Sequence, residues 1–411
     1  MALASKDTSE SVEHVLYRKP SRATFVRKLE LLGSHNGYAH YNYFKEGLPA
    51  INFEGWYSRH VEALHKATEV PHEVAYEWRA KLAAGNVDAY VALLVSQLPN
   101  LRCLALGPPY SQRAEFVGML FSLVRRAQHG EKTGVSTFLH LKEVTFEPNY
   151  NFLRLRHNVK MTDTALQIFF LPHLEKLSVS FDVPVGLIWP NGANLVNPQT
   201  ITSLELNMVR ERHLTQILRL TPKLRSLHWE MFYTEYLDNP ACTTTVNLDA
   251  VATALENVRA TVEDLVIKCY VDRADSFGEP ALSFEGSLRP LARFHYLYKL
   301  QAEPMTLAAS FQPTRAIPLK EILPQSLKTL AITDYLAAND SQEWHDEHIF
   351  HCIAEWVRDE SAPKPNLRAI SYVDRDFCGP GTRPDPLKEK LEEFCRAHSL
   401  ELLWKKIPPL R

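Results

Sequence analysis

Glycine is scarce in this chain, at 15 of 411 residues. That excludes collagen-like and glycine-rich low-complexity architectures. Cysteine is scarcer still. The six residues Cys103, Cys242, Cys269, Cys352, Cys378 and Cys395 are scattered, with no Cys-x-x-Cys among them. So few cysteines in so long a chain make no disulfide framework, and they predict a reducing compartment, cytoplasmic or nuclear. An excess of one charge is also lacking: 46 Lys+Arg face 48 Asp+Glu, for a formal net charge of −2. Such a balance provides no whole-molecule attraction to nucleic acid or to an anionic membrane, and neither is an expected partner. No run approaches the ~18 apolar residues of a membrane span. The opening MALASKDTSE carries acidic residues where a secretory signal needs an apolar core. With 45% hydrophobic and 23% charged residues, the chain reads as globular. Its length fits two or three domains, or one long repeat array.

What the chain does contain is a repeated phrase. An apolar residue is followed by two variable ones, an apolar residue, one variable residue and a third apolar residue. It reads Leu101-x-x-Leu104-x-Leu106, Leu141-x-x-Val144-x-Phe146 and Leu174-x-x-Leu177-x-Val179. Then come Ile201-x-x-Leu204-x-Leu206, Leu224-x-x-Leu227-x-Trp229 and Val262-x-x-Leu265-x-Ile267. Leu297-x-x-Leu300-x-Ala302, Leu327-x-x-Leu330-x-Ile332 and Leu367-x-x-Ile370-x-Tyr372 follow, and Leu400-x-x-Leu403 closes the series. First positions lie 23 to 40 residues apart, about 33 on average. Regular leucine-rich repeats run ~20–29 residues, so the extra length becomes loops or longer helices.

The phrase predicts a strand. Leu104 and Leu106 alternate around Ala105, which sends both to one face of a pleated chain. Segments between phrases keep helical spacing instead: Phe116, Leu120 and Val124, or Leu248, Val251, Ala252 and Leu255. Asp385-Pro386 starts a helix with Leu387, Leu391, Phe394 and Cys395 on one face. Asp340 and Glu343 form a capping-box pattern before Ile349, Ile353 and Trp356. Strand then helix, repeated with one hand, predicts an α/β leucine-rich-repeat solenoid, with a parallel sheet on the concave side and helices outside. An α/β enzyme with leucine-rich strands is the alternative. Residues 1–20 are polar and predicted to be disordered. Residues 21–98 are expected to form an amino-terminal strand and helical cap, with Trp56, Val61, Leu64, Val74, Trp78 and Leu82 on helix faces. The solenoid covers 99–384, and 385–411 supply a capping helix and strand.

The run from Ala89 to Leu106, an apolar helix leading into Leu-Pro-Asn-Leu and a first strand, resembles the fungal F-box-type proteins with degenerate leucine-rich repeats. LPHLEKLSV at 171–179 and TPKLRSLHW at 221–229 are similar to that family's repeats, and Phe25–Leu31 to the strand after its F-box linker. The roughly 20 residues before that strand lack the family's Leu-Pro-x-Glu. The resemblance therefore implies a ligand-recognition arm without the F-box itself. A ubiquitin-ligase adaptor stands as a secondary partner.

Catalytic motifs are few. His345, His348 and Cys352 share helical spacing that could hold zinc, but the order is not His-Glu-x-x-His and no fourth ligand is near. Cys352 also falls between the apolar Ile349 and Ile353. His35-Asn36-Gly37-Tyr38 and Cys378-Gly379-Pro380-Gly381 read as turns. Lys405-Lys406 and Arg125-Arg126 read as solvated basic pairs. No Walker A, nucleophile elbow or dinucleotide fingerprint occurs. The expected function is therefore a noncatalytic protein-interaction scaffold with no cofactor and no metal. The alternative is an enzyme whose site is assembled from loops at one end of the solenoid. Residues flanking the inward leucines should line the concave face and bind a protein ligand. They are Glu143, Glu147, Lys176, Glu205, His228, Glu230, Asp264, Lys268 and Glu303. Counted with Lys299, these positions hold six acids against three lysines, which suits a basic or mixed protein segment.

Overall fold

The computed structural model describes residues 20–32, 72–84, 86–111, 114–128, 130–131, 133, 135–147, 161–190, 200–234, 239–272, 282–333, 344, 346–359, 366–375 and 386–407. Several expected features lie outside these residues: the 1–19 tail, the His35 turn, Trp56, Val61 and Leu64. Asp340, Glu343, His345, Cys378 and Asp385 lie outside them too. The chain is a mixed α/β protein, with parallel β-sheet flanked by helices. It divides into two compact units. The first holds Met1–Asp182 and Leu187–Ile201, the second Val183–Gly186 and Thr202–Arg411.

In the first unit, β1 (Lys28–Leu31), β2 (Cys103–Leu106), β3 (Glu143–Phe146) and β4 (Lys176–Ser180) pair in parallel in chain order. Leu29, Leu104, Val144 and Leu177 stand in one register row, and each is no more than 3% exposed. The connections carry α1 (His72–Ala83), α2 (Val87–Ser96), α3 (Pro108–Ser111), α4 (Glu115–Gln128) and α5 (Thr162–Ile168). The indole of Trp78 on α1 donates to the Ala89 carbonyl of α2 (2.8 Å), and the Tyr90 hydroxyl donates back to Leu82 (2.9 Å). Asn86 caps α2 by accepting the Ala89 N–H. Helix α4 buries Phe116, Leu120 and Val124, the residues its spacing predicts.

In the second unit, β5 (Ser203–Asn207), β6 (Ser226–Thr234), β8 (Asp264–Asp272), β10 (Lys299–Ala302), β11 (Thr329–Thr333), β12 (Ala369–Arg375) and β13 (Glu401–Ile407) are neighbours in that order, all parallel. A separate pair, β7 (Thr245–Asn247) and β9 (Ser283–Glu285), is also parallel. The helices are α6 (Glu211–Leu218), α7 (Leu248–Leu255), α8 (Pro304–Ala308), α9 (Asp346–Arg358) and α10 (Pro386–Ala397). The fourth phrase position makes one row: Leu204, Leu227, Leu265, Leu300, Leu330 and Ile370, each no more than 1% exposed.

The residue after each first phrase position donates its N–H to the same position one phrase earlier. Arg225 bonds to Thr202, Glu263 to Arg225, Tyr298 to Glu263, Lys328 to Tyr298, Arg368 to Lys328 and Glu401 to Arg368. The final phrase departs from the expected register. Leu402, not Leu403, pairs with Ile370, and Trp404 pairs with Tyr372. The phrase is one residue short there, and with a side-chain period of two that puts Leu403 on the opposite face beside Ser371.

Candidate functional site

Alternation sends the leucines of each strand to the helix-covered core and the intervening residues to the other, polar face. In the first unit that face carries the row Lys28, Cys103, Glu143 and Lys176. Glu143 Oε1 lies 2.8 Å from Lys176 Nζ, and Glu143 Oε2 accepts from the Cys103 thiol at 3.7 Å. The hydrogen bond from Lys176 holds the Glu143 carboxyl below its ordinary range, while burial and then Glu143 push the Cys103 thiol up. Glu147 follows β3, and its backbone accepts from the Ser111 hydroxyl. The outer layer of this unit holds an open cleft of about 250 Å³ between α4 and α5, with Glu115 and Asp163 on its walls.

In the second unit the polar face carries three rows. The first is Ser203, Ser226, Asp264, Lys299 and Thr329. The second is Glu205, His228, Val266, Gln301, Ala331 and Ser371. The third is Asn207, Glu230 and Lys268, with Thr333 at the same level on β11. Row one is partly open, and burial raises the Asp264 carboxyl while Lys299 beside it pulls it down. In row two, His228 Nδ1 lies 3.5 Å from Glu205 Oε1. Burial and the Lys268 charge push the His228 imidazole down to about 4, against the pull of Glu205, so the ring is neutral at pH 7.

Row three differs from the sequence expectation. Asn207 is 1% exposed, Thr333 is 0% and Glu230 is 9%. Glu303, expected on the open face, is fully buried. Its carboxylate accepts from the Cys269 N–H (3.2 Å) and the Thr306 hydroxyl (3.2 Å). Burial pushes this acid up to about 7 and the fully buried Cys269 thiol well above its usual range. The cause is local. Pro304 starts α8 immediately after Glu303, and the Glu303 carboxylate bonds the Thr306 hydroxyl of that helix's first turn rather than its backbone N–H groups. The excess of acids therefore shrinks: Glu230 and Glu303 are buried, and Glu143 is ion-paired.

Sequence reasoning missed two buried charged groups. Arg210, 1% exposed, grips Glu211 through Nε (2.8 Å) and donates to the carbonyls of Thr243 (2.6 Å) and Thr245 (2.8 Å). Asp88 on α2 accepts from the N–H groups of Phe116 (2.6 Å) and Val117 (3.3 Å) at the start of α4. Neither has a local sequence signal, because each partner set includes groups 28 or more positions away. Among the described residues, no group of three or more His, Cys, Asp or Glu side chains could hold a metal ion. No described helix is long and apolar enough to cross a membrane. Compared with known proteins, the chain matches no family model, no curated protein and no solved structure.

Proposed function

We propose that this protein is a noncatalytic protein-interaction module of leucine-rich-repeat type, whose ligand lies on the polar face of its parallel strands. One observation carries the reading: side chains from successive strands stand in register on a face of half-exposed polar residues. Such a face offers a wide, rigid display of adaptable hydrogen-bonding groups, which suits a protein ligand. Glu205, His228, Asp264 and Lys299 are its central charged and titratable members in the second unit. The recurrence of the phrase, and its resemblance to degenerate repeats of fungal F-box-type proteins, favour a recognition arm.

The test is a paired capture. Wild-type protein, a Glu205→Lys, Asp264→Lys double variant and a control variant on the outer helices, Glu389→Lys, are each used as bait. A stoichiometric protein retained by wild type and by the control, and lost by the double variant, supports the reading. Retention by all three, with the double variant folded, refutes it.

A further inference from the structure

Among the described residues of the second unit, four side-chain atoms are buried without a hydrogen-bond partner: Asn207 Nδ2, His228 Nε2, Thr333 Oγ1 and Ser371 Oγ. All four belong to the polar face of the sheet, and they form two pairs. Glu205 stands opposite His228 and Asn207 opposite Glu230, so Asn207 and His228 are diagonal neighbours on β5 and β6. Ala331 stands opposite Ser371 and Thr333 opposite Val373, so Thr333 and Ser371 are diagonal neighbours on β11 and β12. Buried polar groups are nearly always bonded, so each of these atoms requires a partner, either ordered water or a group of a bound ligand. We infer that this face binds an extended protein segment and receives the carboxamide of an Asn or Gln side chain between Asn207 and His228. The inference rests on the protein-binding reading above and names the chemistry of its ligand.

The chemistry follows from the two atoms. Asn207 Nδ2 can only donate. His228 Nδ1 lies 3.5 Å from Glu205 Oε1, and the field of that carboxylate favours the tautomer with its proton on Nδ1, which leaves Nε2 as the acceptor. A donor beside an acceptor complements the oxygen and NH2 of a carboxamide. A carboxylate brings no proton for Nε2, and an ammonium brings no acceptor for Nδ2. The Glu205 and His228 side chains are 40% and 26% exposed, while the two orphaned atoms are buried, so the carboxamide reaches them by displacing the side chains that cover them. The Thr333 and Ser371 hydroxyls can each donate or accept; both residues are buried, 0% and 3% exposed, so a ligand that uses them as a second anchor displaces what covers them. Only β8 and β10 stand between the two strand pairs. The pair centres are thus separated by four strand intervals of ~4.8 Å, about 19 Å. An extended chain covers that in about six residues, an even number that returns the side chain to the same side. The ligand segment therefore carries Asn or Gln at one position and a polar residue six positions away.

The probe is a phage-displayed random dodecapeptide library panned on the full-length protein. Enriched sequences are synthesised and titrated by calorimetry against wild type and against the near-isosteric Asn207→Asp, which replaces the donor with an acceptor. The expected result is Asn or Gln at a constant position with a polar residue six places along. Binding should weaken roughly tenfold to hundredfold against Asn207→Asp. Changing the ligand residue from Gln to Glu should weaken binding as much on the untouched wild type, a readout independent of how the variant folds. Peptides that need Glu205 and His228 but show no carboxamide preference overturn this inference and leave the protein-binding reading standing. Enrichment of no peptide that depends on this face overturns both. A crystal structure of the peptide complex with only ordered water on Asn207 Nδ2 and His228 Nε2 also overturns the inference.

Discussion

Asp88 offers the sharpest test of how this fold is held together. It sits in the first turn of α2, 7% exposed, yet its carboxylate serves a different helix. The first N–H groups of any helix lack intrahelical partners. At the start of α4 two of them, Phe116 and Val117, donate to Asp88. Asp88→Ala removes the acceptor and leaves both donors inside the protein. A lost cap costs about 1 kcal/mol and a buried unsatisfied donor about 1–3 kcal/mol. We therefore expect a loss of roughly 2–4 kcal/mol. Asp88→Asn keeps one acceptor oxygen and should cost under about 1 kcal/mol near neutral pH.

The pH dependence separates charge from hydrogen bonding. Burial pushes Asp88 up from 3.8 to about 7, with the Phe116 and Val117 N–H groups pulling the other way. Between those two values the folded chain holds a proton that the unfolded chain has released. Folding is therefore favoured most below the unfolded value, and that contribution fades as pH rises through about 7. The shift corresponds to as much as about 4 kcal/mol over the window. Asn does not titrate, so Asp88→Asn should gain on wild type as pH rises from about 5 to about 8. Urea titrations at both values give the global number, and hydrogen exchange at the Phe116 and Val117 amides gives the local one. Parallel pH profiles for wild type and Asp88→Asn would refute the argument, as would unchanged exchange in Asp88→Ala.

Leu227→Ala empties a site that is 1% exposed in the leucine row and should cost roughly 2–5 kcal/mol by denaturant titration; a loss below about 1 kcal/mol counts against a packed core there. Arg210→Ala strands the Glu211 carboxylate and two carbonyls in the interior, for a cost of roughly 3–5 kcal/mol. Arg210→Lys should not recover it in thermal melts, because one ammonium cannot reproduce the fork. Glu303→Gln removes a charge whose site holds the acid near 7, so its melting temperature should rise relative to wild type between about pH 5 and about pH 8; a constant difference sinks the assignment. Deleting residues 386–411 removes α10 and β13 and uncovers Tyr372, which stacks on Trp404 at 4.6 Å. Light scattering should then show aggregates, and a monomeric, cooperatively melting fragment would disprove the capping role.

The strands were legible because a period-2 pattern and a fixed phrase specify both the local conformation and the face that must be buried. Leu204, Leu227, Leu265 and Leu330 occupy one row as that reasoning requires. The slip at Leu402 shows its limit. Leu402 and Leu403 are both leucines, so hydrophobicity cannot choose between registers, and only pairing with β12 decides. Glu303 shows a second limit. Alternation assigns a residue to a side of the sheet but is silent on what covers that side. The Glu303-Pro304 pair did carry a usable signal, since proline at a first helical position marks a helix start. Asp88 carried none, because its partners are backbone groups 28 and 29 positions along the chain, and the adjacent Arg210-Glu211 pair does not announce the distant Thr243 and Thr245 carbonyls that bury it.

That limit has a physical pattern in the second unit. Along β6 the chain passes from one-sided to two-sided burial. Ser226 and His228 are half-exposed while Leu227 and Trp229 are buried, as a one-faced strand requires. From Glu230 onward, Met231, Phe232 and Tyr233 are buried in succession, so both faces are covered. Strand β8 extends beside it over the same nine-residue ladder. The boundary between open and covered sheet runs through the row of Asn207, Glu230 and Lys268 and the level of Thr333. A polar side chain at such a boundary is cut off from bulk water by the covered end, yet lies within reach of anything that docks on the open end. Of the four orphaned atoms, those of Asn207 and Thr333 lie at this level and those of His228 and Ser371 one level before it. Groups fully in the open would be satisfied by solvent, and groups deeper in would cost too much to keep. If the proposed protein-binding reading holds, Asn207 in this row and His228 one level before it, rather than the outermost charges, are where the face would discriminate between ligands. A ligand that fails to satisfy Asn207 and His228 leaves their desolvation uncompensated, whatever charge it presents to Glu205 or Asp264.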